Sequence, residues 1–183
     1  MAFPALLDTC VLYPAYLCDT LLRLASAGAY RPLWSDDILD ELRRNVIARG
    51  VPATKVDHRI AQMRRAFPDA TVHGHRPMAD GMTNDPKDRH VLAAAVRGGA
   101  EVVVTFNIKD FPDSALAPYD VTAVHPDDFL LDQLDLHPGT TLAALERQAA
   151  SYRREPTTVI GVLGLLERTG VPRFAAEVRR HLR

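Results

Sequence analysis

Cysteine is scarce in this chain. Cys10 and Cys18 are the two cysteines in 183 residues, so no disulfide framework is expected, and both read as buried thiols of a reducing compartment. Long apolar runs are missing too. No stretch approaches the ~18 residues that suggest a bilayer span, and the first residues lack a basic segment followed by an apolar one. Neither a membrane span nor an export leader is therefore expected, and the cytoplasm is the expected location. There is no internal repeat and no low-complexity tract, and aliphatic content is ordinary, which excludes fibrous and disordered classes. A chain of 183 residues can bury a real core, as one domain with an appendage.

Net charge is also small, −1, but the balance hides a division along the chain. Residues 38–65 hold seven Lys/Arg against three Asp/Glu, residues 78–135 four against eleven, and residues 147–183 eight against three. Solvated helix faces can produce such a pattern alone. An enzyme of nucleic acids needs the same combination: acids to hold metal, and cations around them to hold a phosphate backbone.

Residues 5–7 read as a short buried strand ending at Asp8-Thr9. Residues 13–27 have apolar positions at helical spacing (Leu17, Leu21, Leu24, Ala25) and stop at Gly28. A strand at 32–34 follows. Ser35 is an N-cap candidate, with Asp36 and Asp37 at the positive end of a helix running to about residue 49. Gly50-Val51-Pro52 breaks it before a basic amphipathic helix at 53–66. Residues 73–83 look like a loop. A helix at 87–97, a strand at 101–106, an irregular stretch at 113–119, a strand at 121–124 and a helix at 126–134 complete the pattern. Strands alternating with helices imply parallel pairing, hence an α/β fold: a three-layer α/β/α sandwich with a mostly parallel central sheet. His137-Pro138-Gly139 reads as a boundary, dividing the chain into a domain at 1–136 and a small C-terminal helical extension at 137–183. Within that extension, 141–153, 157–169 and 173–182 read as short helices.

The acids carry the chemistry. In a parallel α/β sheet, strand ends and helix starts meet at the edge where ligands bind. Asp8 closes the first strand, Asp88 begins a helix, and Asn107 and Asp110 follow a later strand. Carboxylates gathered there repel by roughly 3 kcal/mol per pair at about 5 Å and an effective dielectric of about 20. Hard divalent ions with oxygen ligands, Mg²⁺ or Mn²⁺, are the natural compensation, which points to metal-dependent phosphate chemistry. Each acid also has an ordinary explanation. Asp8 could cap a helix, although Tyr13-Pro14 suggests that the next helix starts later. Glu41 borders the apolar stripe through Leu42 and could simply pair with Arg44, whereas Asp40 is rotated away. Asp85-Pro86 fits an N-cap followed by proline. Asp88 could complete a capping box, yet it lies on the side of Val91 and Leu92, turned toward the core. Asn107 and Asp110 are also common turn residues. Thr9, Ser35 and Thr105 are hydroxyls that could orient a carboxylate or a metal-bound water. His90 reads as an ordinary helix-surface histidine.

Taken together the acids resemble those of the PIN-domain ribonucleases, over roughly residues 5–130. The most specific stretches are Leu6-Leu7-Asp8-Thr9, Asp85-Pro86-Lys87-Asp88-Arg89-His90-Val91-Leu92-Ala93-Ala94-Ala95 and Val104-Thr105-Phe106-Asn107-Ile108-Lys109-Asp110-Phe111. The closing Val124-His125-Pro126-Asp127-Asp128-Phe129-Leu130 also looks like the family's ending, and the chain most resembles the VapC-type toxins of bacterial toxin–antitoxin modules. The resemblance implies that Asp8, Glu41, Asp88 and Asp110 bind Mg²⁺ or Mn²⁺ and are catalytic, supported by Thr9, Thr105 and Asn107. It also implies an endoribonuclease leaving 5′-phosphate and 3′-hydroxyl ends without a side-chain nucleophile. One departure matters: many members carry a fourth acid where this chain has Asn107, so a second metal site is expected to be weaker. Arg43, Arg44, Lys55, Arg59 and Arg64 are the expected contacts to the RNA backbone. A cognate antitoxin protein is the expected partner, with a homodimer also open.

Two other readings bear on the same residues. Phosphatases of the haloacid dehalogenase type also begin with an Asp after a buried strand, but they need a second Asp two residues later, where this chain has Cys10. The other is a degenerate nuclease fold that binds RNA or protein without cutting, and Asn107 keeps it open.

Overall fold

A computed structural model describes residues 2–182. In chain order the elements are β1 (Pro4–Leu7), α1 (Thr9–Leu12), α2 (Ala15–Ser26), β2 (Arg31–Ser35), α3 (Asp36–Ala48), α4 (Ala53–Ala66), β3 (Thr71–Val72), α5 (Arg76–Ala79), α6 (Arg89–Gly98), β4 (Val102–Val104), α7 (Asp113–Leu116), β5 (Thr122–Val124), α8 (Pro126–Leu136), α9 (Pro138–Ser151), α10 (Val159–Thr169) and α11 (Pro172–His181). Short 3-10 turns at Pro86–Asp88, Ile108–Asp110 and Ala117–Tyr119 complete them. No described helix is long and apolar enough to cross a membrane.

The chain packs as two compact units. The first takes residues 1–13 and 30–124. It is built on a five-stranded sheet in the order β3-β2-β1-β4-β5, with every pair parallel. The strands are apolar along their whole length because a parallel sheet is covered on both faces: Leu6, Leu7, Val103 and Val104 are wholly buried. After β3 the chain returns along α6, which packs on β1 to β4, and adds β4 on the other side of β1. Right-handed crossovers that wind in opposite directions put α3 and α6 on opposite faces, so the α/β/α layering expected from the sequence is what forms. The point of reversal is the C-terminal end of β1, where Asp8 stands.

α6 lies close to the sheet because its inner face is small. Val91 through Ala95 are fully buried. A Cβ on Gly98 would stand 2.7 Å from Val72 Cγ2 and 3.1 Å from Leu33 Cδ1. Gly99 then ends the helix in the left-handed conformation, φ +66°.

The second unit takes residues 14–29 and, of the described residues, 125–182. In it α2 packs on α9 and α10, α8 packs on α9 and α11, and α10 packs on α11. Asp127, in the first turn of α8, accepts the backbone N–H groups of Arg173 (3.1 Å) and Phe174 (2.8 Å) and so caps α11. Thr20, Gln148, Tyr152 and Asp19 form a partly buried hydrogen-bonded chain between α2 and the C-terminal end of α9, each contact 2.6–2.9 Å. The boundary expected at 136/137 falls inside this unit: Pro138 opens α9 directly after α8, and α2 joins the C-terminal helices across the sequence. Four short elements also depart from the sequence reading: α1 begins directly at Thr9, with the Asp8 carboxylate accepting the Thr9 N–H as its N-cap, ahead of the later helix start that Tyr13-Pro14 suggested. β3 is a two-residue edge strand, and α5 and α7 are single turns within stretches that looked like loop; none is long enough to show a periodicity. Cys10 and Cys18 are free thiols.

The close approach at Gly98 is testable. Gly98→Ala gains up to about 1 kcal/mol of helix propensity, but overpacking against the stiff Val72 and Leu33 costs about 1–3 kcal/mol. The expected net result is a lower urea midpoint; a higher one would mean that α6 is free to move outward.

Candidate active site

The register of β1 against β4 assembles the site. Leu7 pairs with Val104, and the Asp8 N–H continues the ladder to the Val104 carbonyl at 3.1 Å. Asp8 and Thr105 therefore leave adjacent strand ends side by side. The Thr105 hydroxyl donates to Asp8 Oδ2 at 2.7 Å, Cys10 Sγ donates to the same oxygen at 3.3 Å, and the Thr9 N–H donates to Oδ1 at 2.7 Å. Asp8 is 3% exposed. Burial raises its carboxyl above the ordinary value, these three hydrogen bonds oppose the rise, and the charge of Glu41 adds to it. The Cys10 thiol is pushed up to about 12, first by burial and then by Asp8, so it serves as a neutral donor and not as a nucleophile.

Glu41 comes from α3, whose start is fixed by Ser35 accepting the Ile38 N–H at 3.2 Å. Its Oε2 accepts from the Thr9 hydroxyl at 2.9 Å, which ties the middle of α3 to the end of β1. Asp40 is exposed, on the side expected for it. Asp85 is the cap anticipated from Asp-Pro: its Oδ1 accepts the Lys87 N–H at 3.1 Å. Asp88 makes no capping bond. It is buried, and its Oδ2 has no hydrogen-bond partner. Burial first, and then the charge of Asp8, push its carboxyl up to about 7.

Asp8, Thr9, Glu41, Asp88 and Asn107 line one cleft of about 490 Å³, whose rim includes Tyr13 and Arg49. An adjoining hollow of about 710 Å³ shares Glu41, Asp88 and Asn107 and adds Asp37, Arg44, Arg76, Lys87 and His90. Asp110 is set behind this wall, 6% exposed, with Lys87 Nζ at 3.1 Å from its Oδ2. That is an ionic contact without the alignment of a hydrogen bond. The acid donor set is hard oxygen throughout and includes buried, unmatched carboxylate atoms, which fits Mg²⁺ or Mn²⁺. Among the described residues no group of three or more His, Cys, Asp or Glu side chains is arranged to hold an ion outright, so water would complete any coordination here.

The cations sort differently from expectation. Arg43 pairs with Asp57 at 2.6 Å, Arg64 pairs with Asp36 at 2.9 Å, and Arg59 donates to the Leu12 carbonyl. These three are engaged within the fold. Lys55 is exposed on α4, and Arg44 alone of the five lines the hollow. Residues that the sequence reading passed over take the other places. Arg76 is held against Asp37 by bonds of 2.6 and 3.0 Å, and the Asp37 carboxyl is lowered to about 2, chiefly by that arginine. His90, expected on the helix surface, turns to the wall with Nε2 at 3.9 Å from Glu41 Oε2. Lys87 had a visible clue in its place between Asp85 and Asp88; Arg76 lies in a stretch with no periodicity and had none.

With this geometry in hand, the comparisons with known proteins are specific. Residues 4–109 match the family described as "PIN domain", and residues 126–180 match one described as "VapC50 C-terminal domain". A Mycobacterium tuberculosis (strain ATCC 25618 / H37Rv) protein bearing the name "Putative ribonuclease VapC50" is 50% identical over 111 residues, 61% of this chain and 65% of that relative. The matched stretch thus spans just under two thirds of the relative's length. No solved structure matches.

The raised Asp88 carboxyl has a thermodynamic consequence. Its value in the fold, about 7, lies above the ordinary 3.8, so the folded state holds the proton more tightly. Without cations, its contribution is fully present below the unfolded value and is lost as pH rises through about 7. Asp88→Asn should flatten that decline and raise the thermal midpoint of the cation-free protein in mildly alkaline buffer. Calorimetry in EDTA across this pH range checks it; a variant with the wild-type slope would show that Asp88 ionises freely.

Proposed function

The chain belongs to the PIN-domain family, and from that premise we propose that it is a metal-dependent endoribonuclease, the toxin of a type II toxin–antitoxin module. The observation that carries this reading is the convergence of Asp8, Glu41 and Asp88 on one cleft, with Asp8 and Asp88 both driven toward the protonated form by burial. A fold has no structural reason to crowd acids that it cannot solvate. Phosphodiester chemistry supplies one.

Asp8, Glu41 and Asp88 are the groups offered to Mg²⁺ or Mn²⁺, with the carboxyl of Asp110 set behind them. Bound there, the ion would supply Lewis-acid charge for phosphoryl oxygens and an acidified water as nucleophile. The remaining residues prepare the site. Thr105 and Cys10 fix the rotamer of Asp8, and Thr9 holds Glu41 toward the cleft. Arg44, Arg49 and Arg76 on the cleft walls present cations to phosphates on either side of the scissile bond. Arg76 is aimed by the two hydrogen bonds it donates to Asp37. The substrate is RNA, and the partner is an antitoxin protein that covers the acidic cleft. The relative's printed name supports the ribonuclease, and the match at 126–180 supports assignment of the C-terminal helices to the same group.

Purified protein incubated with total bacterial RNA should give discrete fragments with Mg²⁺ or Mn²⁺ and none with EDTA. Asp8→Asn should lower cleavage by at least about 10²-fold, the scale for losing a preorganised charge at a reacting centre, while RNA affinity persists. Intact RNA under every condition, with folded protein that still binds RNA, would favour the non-cutting binding module. Co-expression with the product of an adjacent small reading frame should suppress cleavage; unaltered activity in its presence would remove that partner.

A further inference from the structure

The acid cluster is accompanied by a cation of its own. Lys87 Nζ is 3.1 Å from Asp110 Oδ2 and 4.0 Å from Asp88 Oδ2. Asp110 is buried and reaches the wall of neither hollow, whereas Asp8, Glu41 and Asp88 line the cleft. Of the other positions on those walls, Asn107 and Asn45 are amides without charge, and Asp37 is held by Arg76 and His75. A second divalent ion would need carboxylates of its own. Here one acid faces an ammonium and its neighbouring position is neutral. An ammonium close to a carboxylate also repels a dication approaching the same oxygens, and Mg²⁺ accepts distorted or shared coordination poorly.

We infer that Lys87 stands in for a second divalent ion, so that the cleft takes a single Mg²⁺ or Mn²⁺ through Asp8, Glu41 and Asp88 while Asp110 serves Lys87. The inference rests on the metal-dependent reading above and fixes its stoichiometry. It makes Lys87 a positioning residue: its ammonium neutralises Asp110 and leaves the three cleft acids to one ion. The lysine side chain is 64% exposed, so replacing it leaves the core intact.

Mn²⁺ binding measured by electron paramagnetic resonance and by calorimetry tests this without reference to cleavage. The full chain is compared with Lys87→Gln, Lys87→Arg, Asp110→Asn and Asp8→Asn, each checked for folding by circular dichroism. Wild type and Lys87→Arg should bind one Mn²⁺ per chain, and Lys87→Gln should bind two. Asp110→Asn should leave the affinity of the single ion within about tenfold, the lower end of what disturbing a metal's supporting shell costs. Two ions in the wild type, one in Lys87→Gln, or a loss in Asp110→Asn as complete as in Asp8→Asn would overturn the role of Lys87 and leave the metal-dependent nuclease standing. Absence of Mn²⁺ binding in all the chains would overturn both.

Discussion

The pairing of β1 with β4 is the constraint on which the site depends. Because Leu7 lies opposite Val104, the next residue on each strand, Asp8 and Thr105, must meet at the sheet edge. A shift of one residue would turn Asp8 into the opposite face, since side chains alternate along a strand. Everything else is hung from that carboxylate. Thr9 follows it and reaches Glu41; Cys10 turns back to it; Asp88 feels its charge from the start of α6. Each donor on a buried acceptor matters, because leaving one unpaired costs about 1–3 kcal/mol.

The fold was largely legible in the sequence because its signals are local. The apolar strands, the Ser35 cap of α3, the amphipathic α4 and the Gly98-Gly99 end of α6 are written in neighbouring residues, and the structure forms all of them. The cleft acids were legible for a related reason: Asp8 and Asp88 follow from where strands end and helices begin. What was hidden depends on contacts across long sequence distances. Nothing in residues 9 and 41 alone says that Thr9 donates to Glu41, nor that the exposed Lys87 reaches Asp110. β3 was hidden by its length: two residues cannot show alternation, and it exists because the Trp34 N–H is accepted by the Ala70 carbonyl at 3.0 Å. The discontinuous second unit was hidden because the amphipathic pattern of α2 reports that one face is buried, but not against what.

Charge composition proved a poorer guide than charge placement. The basic segment at 38–65 looks like an RNA-binding strip in one dimension. In three, Arg43 and Arg64 join α3 and α4 to neighbouring acids, in exposed pairs that solvent screens. The cleft wall is cationic through Arg44 and Arg49 from that segment and through Arg76 and Lys87 from outside it. The two groups differ in where they stand: Arg43 and Arg64 lie between α3 and α4, whereas the second group lines the hollows beside the acids, although Arg76 and Lys87 also have acid partners there.

The order in which the chain is made gives the second unit a further meaning. α2 ends at Ser26, but the helices that cover it begin only after His125. During synthesis the whole sheet, with every acid of the cleft, emerges before α9 and α10, the helices that pack on α2. Leu17, Leu21 and Leu24 of α2 are wholly buried in the finished protein, and until those helices follow α2 lacks that cover. A ribosome that stops short of the C-terminal helices therefore releases a polypeptide marked by an uncovered apolar helix near its beginning, the kind of surface that chaperones and proteases recognise. Completion of the last helices is what hides that mark.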